Sequence, residues 1–169
     1  MILDTSVYNT LVADEIWLVS SMRQFLFKEK HSRPVLLNHF DLGVVEAPVG
    51  NLLKMLWQYD PFLVDLCQPG DSNVSVFELQ LLYAIAARRG GYTPIVNEVL
   101  AWWLPQSALD TAMRRLSTIA GTLDQVGMAT QSIERLKAHI LALTSVRSRR
   151  NRIVAVDTWM PTVGSRVLH

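Results

Sequence analysis

The sequence predicts a mainly α protein, a helical bundle of four to six helices with a C-terminal αα-hairpin and at most a short β element. Three observations predict it. Residues 108–126 split into an apolar and a polar face at helical period. "SVFE" at 75–78 has capping-box spacing and opens an almost wholly apolar segment. Glycine and proline punctuate the chain at helix-length intervals. At 169 residues, half of them hydrophobic and 18% charged, the chain is long and apolar enough to bury a core as one domain spanning 1–169. Within it, 1–74 is expected to be less regular, 75–146 the helical core, and 147–169 a basic C-terminal tail.

In chain order, "DEIWLVSSMRQFLFKEK" (14–30) predicts a helix capped by Asp14, with Leu18, Val19, Met22, Phe25 and Leu26 inward. Residues 31–74 are rich in proline and glycine, so irregular chain is expected, with one short helix near "VGNLLKMLWQY" and a short strand candidate in "PVLLNHF". Ser75 and Glu78 then cap a helix over 76–89. With Glu78, Gln80, Arg88 and Arg89 its only clearly polar residues, it must be surrounded and hence central. Gly90-Gly91 stops it, and Thr93-Pro94 restarts the chain as cap and first residue of a helix running to Pro105.

In the 108–126 helix, Ala112, Leu116, Ile119 and Leu123 share the apolar side, while Arg114, Thr118, Thr122 and Asp124 share the other. Gly127 ends it, and Thr130 caps a last helix whose stripe is Ile133, Leu136, Ile140 and Leu143. The short link makes these two helices antiparallel neighbours. "RIVAVDT" (152–158) is a strand candidate by its β-branched content.

"LLYAIAARRGGYTPIVNEVLAWWLP" resembles one tetratricopeptide unit, with paired helices, a tyrosine after glycine and a closing proline. No second copy recurs at a fixed period, and such folds need at least three units, so the family is not assigned.

No linear motif for catalysis is present. The histidines, at 31, 39, 139 and 169, form no metal-ligand spacing, and no phosphate-binding glycine loop occurs. The lone Cys67 lacks a local imidazole, so a packed thiol is the expected role. No catalytic residue, metal or cofactor is therefore expected. The acidic N-terminus and the absence of a long apolar run favour a cytoplasmic protein without a membrane span.

Two features are candidates for interaction. Trp102 and Trp103 point about 100° apart on one helix, so one must lie at a boundary, covering a helix end or anchoring an interface. Arg147, Arg149, Arg150 and Arg152 make the densest charge cluster. Residues 1–136 carry 10 basic and 14 acidic side chains, whereas 137–169 carry six basic and one acidic. The cluster starts where the last helix is expected to end near Val146, and cations there suit the negative end of the helix dipole. A helix end running into a solvated loop is thus preferred over a functional arm. The leading expectation is a non-enzymatic interaction or scaffold protein that self-associates. A nucleic-acid-associated accessory protein using 147–152 is the alternative. A helical protein with a hidden cofactor or metal site, built from Cys67, His31 and His39, comes third.

Overall fold

A computed structural model describes residues 7–26 and 43–157 of the chain. After a 3-10 turn at Val7–Thr10, six α-helices follow: α1 (Ala13–Leu26), α2 (Gly43–Tyr59), α3 (Val76–Arg89), α4 (Thr93–Trp103), α5 (Gln106–Gln125) and α6 (Ile133–Asp157). No strand occurs among the described residues. The "PVLLNHF" segment, His31 and His39 lie outside them.

α3 is the hub, as its all-round apolarity requires. It packs against α4, α5 and α6, while α5 also lies on α2 and α4, and α1 on α2. Leu79, Leu82, Ala84, Ile85 and Ala87 are fully buried, and the alanines on α3 and α5 let neighbouring backbones approach closely. The capping box is complete: Ser75 Oγ accepts from the Glu78 amide (3.0 Å) and Glu78 accepts from the Ser75 amide (2.8 Å). Gly90 closes α3, and Gly91 (φ 77°) and Gly127 (φ 70°) take the left-handed geometry that favours glycine at helix stops.

α5 buries the expected face, with Ala112, Leu116, Ile119 and Leu123 inside and Thr118 exposed. Thr122, placed on the polar side by the wheel, is also buried. Its hydroxyl donates to the Thr118 carbonyl (2.8 Å), so it enters the core with its polar group satisfied.

Several local expectations are corrected. α1 begins one residue before Asp14, which does not cap it: Val12 supplies the first helical carbonyl, to the Ile16 amide, and Glu15 accepts from the Val12 amide. α2 begins six residues earlier than its expected segment and runs through Pro48, because Val45 and Val49 bury on either side of the proline and packing outweighs the lost hydrogen bond. α4 is flanked by Tyr92, with Thr93 as its first residue. Ser132, not Thr130, caps α6, accepting from the Arg135 amide at 3.3 Å. α5 and α6 are joined by the expected short link, yet α6 makes its main packing on α3, as α5 does on α2 and α3.

The largest correction is at the C-terminal side. The helix does not end near Val146, and residues 152–157 of the strand candidate are helical: α6 continues to Asp157. Arginine is a good helix former, and extending an existing helix needs no new nucleus. Arg147 to Arg152 therefore lie within the helix, short of its last turn, where the dipole effect is confined.

Candidate interaction surface

The loop from Asp60 to Val74 is irregular but held from below. Glu78 Oε1 accepts from Arg23 Nε (2.7 Å) and from the Cys67 amide (3.2 Å), and Oε2 accepts from an Arg23 terminal nitrogen (2.9 Å). The two other Arg23 contacts go to loop carbonyls, of Asp71 (2.7 Å) and Asn73 (2.6 Å). Its guanidinium also lies 5.5 Å from the centroid of the Tyr8 ring. Arg23 and Glu78 are both fully buried. Burial works against the Arg23 charge, but the bond to Glu78 and its negative charge outweigh this and raise the Arg23 pKa. One ion pair thus ties α1, the loop and the start of α3 together.

Anchored this way, the loop shapes an open, mostly apolar groove of about 950 Å³. Trp57 and Lys54 of α2 form one wall, the Pro61–Leu66 strip another, and Phe77 and Gln80 of α3 the base. Phe25 from the end of α1 also lines it, and packs so closely on α2 that a β-carbon at Gly50 would enter its ring. At the rim, Asp60 accepts from the Phe62 amide (2.9 Å) through its side chain and from the Leu63 amide (3.2 Å) through its carbonyl. This turn leaves Phe62 94% exposed; Trp57, which lines the same groove, and Tyr59 at the end of α2 are about half exposed.

A second clamp joins α1 to the α5–α6 link. Buried Glu15 accepts from the Gln131 amide (2.7 Å) and side chain (2.8 Å), and Asp14 accepts from the Ala129 amide (2.6 Å). His139 of α6 lies 3.3 Å from the Thr10 hydroxyl. Burial and nearby Arg135 lower its pKa.

The sequence-derived candidates separate. Trp103 is buried, its ring 5.1 Å from that of Phe77, whereas Trp102 is 70% exposed. Arg147, Arg149, Arg150 and Arg152 lie on α6 rather than in a loop. Cys67 is half-buried, and burial followed by the Glu78 charge pushes its thiol up to about 11, which suppresses the thiolate a nucleophile needs. Among the described residues no group of histidine, cysteine and carboxylate side chains could hold a metal ion, and no helix is long and apolar enough to cross a membrane.

Arg23, Trp57 and Phe62 escaped the sequence reading. Arg23 lies four residues after Val19 on the buried side of α1, and that placement was the available signal. An exposed phenylalanine carries none, since a hydrophobic residue before Leu63 and Val64 reads as core. In comparisons with protein-family models, curated proteins and solved structures, nothing matches this chain.

Proposed function

We propose that this chain is a non-enzymatic interaction protein that associates with further copies of itself through the face bearing Trp57 and Phe62. The observation that carries the reading is Phe62: a 94% exposed aromatic ring on a hydrogen-bonded turn beside an apolar groove. Exposing such a ring is unfavourable in isolation, and aromatic side chains dominate interface energetics. A turn already fixed by Asp60 loses little freedom on binding. Trp102 offers a second exposed aromatic on α4. A cytoplasmic setting accords with this reading, since the lone cysteine suits a reducing compartment.

Sedimentation velocity over a concentration series tests it. The wild type should associate, and Phe62→Ser should shift the association constant at least tenfold while leaving the circular dichroism spectrum unchanged. A wild type that stays monomeric to about 100 μM, in the range of weak transient contacts, contradicts self-association. Equal association by the variant places the interface elsewhere.

One observation favours a second reading. The arginines lie on a helix, the element a DNA major groove admits, so a nucleic-acid accessory role is the runner-up. It requires DNA or RNA binding whose log K falls with log salt, by about 0.9 per phosphate contact on duplex DNA. The near-neutral whole chain weighs against it.

A further inference from the structure

Resting on the self-association reading, we infer that the occupant of the groove is the arginine-bearing half of α6, residues 146–157, from a second copy of this chain.

The α6 pattern itself changes character at this point. Its core stripe, Ile133, Leu136, Ile140 and Leu143, follows spacings of three and four. The next positions in that register are Arg147, Arg150 and Val154, so arginines take over from the apolar repeat along the same helix. Thr144 and Ser145 are already exposed. Four arginines and the apolar Val146, Ile153, Val154 and Val156 make this half of α6 a basic segment with an apolar component. Its twelve residues span about 18 Å as helix.

The groove has the complementary composition. From 55 to 87 the chain contains no lysine, arginine or histidine, while Asp65 lines the groove, Asp60 adjoins it and Asp71 lies further along the same loop. Asp60 and Asp65 are exposed, and Glu78, the remaining acid there, is occupied by Arg23. Within the lining Lys54 is matched by Asp65, and exposed Asp60, next to Pro61 at the rim, tips the balance to negative. Apolar walls with Trp57 and Phe62 suit the valine and isoleucine side chains of a helix laid in a groove, and the aspartates suit its arginines. Each copy owns one such helix and one such groove, so two copies can pair reciprocally, or several can link head to tail.

Sedimentation of full-length proteins, singly and mixed, tests this. A groove variant carries Trp57→Ser and Phe62→Ser; a helix variant carries Arg147→Gln, Arg149→Gln, Arg150→Gln and Arg152→Gln. Glutamine keeps helix propensity, and circular dichroism checks that both variants fold. The wild type should associate, more weakly as salt rises. Each variant alone should lose association at least tenfold, and an equimolar mixture should recover a heterocomplex, because one partner keeps its helix and the other its groove. If the wild type associates but the helix variant does so equally well, or the mixture stays monomeric, the inference falls while self-association stands through another surface. A monomeric wild type overturns both. A monomeric wild type that binds DNA, with binding lost in the helix variant, assigns the arginines to nucleic acid and likewise overturns the inference.

Discussion

Glu78 meets two needs at once: it completes the cap of α3 and neutralises an arginine from a helix 55 residues earlier. Removing one member of a buried pair leaves the other charged and unmatched, so Glu78→Gln should cost about 3–5 kcal/mol in a urea melt. Ser75→Ala should cost roughly 1–2 kcal/mol, through the cap and through the hydroxyl's bond to the Asp65 carbonyl, less than the glutamate change. The reverse order would mean that the capping serine, not the ion pair, holds the loop. Cys67 gives an independent check. A thiol raised from 9.0 to about 11 holds about a hundredfold less thiolate at neutral pH, so alkylation should be about a hundredfold slower than for a model thiol. Rapid labelling would revive a reactive-cysteine role. At His139 the folded protein disfavours the proton relative to the unfolded chain. The unfolded state therefore binds more protons as pH falls below about 6.5, and stability drops there. Replacing His139 with asparagine should shrink that loss between pH 7.5 and 5.5, and an unchanged slope would assign it to other groups. The capping box was legible because its partners lie three residues apart. The ion pair was not, because nothing local says which distant loop and helix will cover an arginine.

At the scale of elements, α3 and α5 were the readable helices, and for the same reason. Both carry a face or surface whose apolarity is nearly uninterrupted, and both end at glycine or proline. Leu116, fully buried mid-stripe in α5, should cost about 2–5 kcal/mol when truncated to alanine, whereas exposed Thr118 should tolerate alanine within about 0.5 kcal/mol. Equal shifts in the unfolding midpoint would contradict the packing of α5 on α2 and α3. α2 was only half legible, since Pro48 reads as a stop and only its buried valine neighbours explain the continuation. α6 was misjudged beyond Val146 because β-branched residues favour strands only where a sheet exists to receive them. Here no partner strand is present among the described residues, and a helix already under way takes the segment instead.

For the whole molecule, the uneven charge visible in the sequence falls on two elements: acids on the loop that shapes an apolar groove, arginines along the second half of α6. The helical class followed from periodicity, but the groove did not, because it arises where the end of α1, α2 with the Pro61–Leu66 strip after it, and α3 meet. Hydrogen exchange measured by mass spectrometry at low and high protein concentration tests whether the α6 segment docks in the groove of a second copy. Docking should slow exchange as concentration rises in two regions, the loop and helix end around 57–66 and the arginine-bearing half of α6 at 146–157, with the rest of α3 and α5 unchanged. Concentration-independent exchange throughout, or protection confined to another face such as that of Trp102, would contradict it.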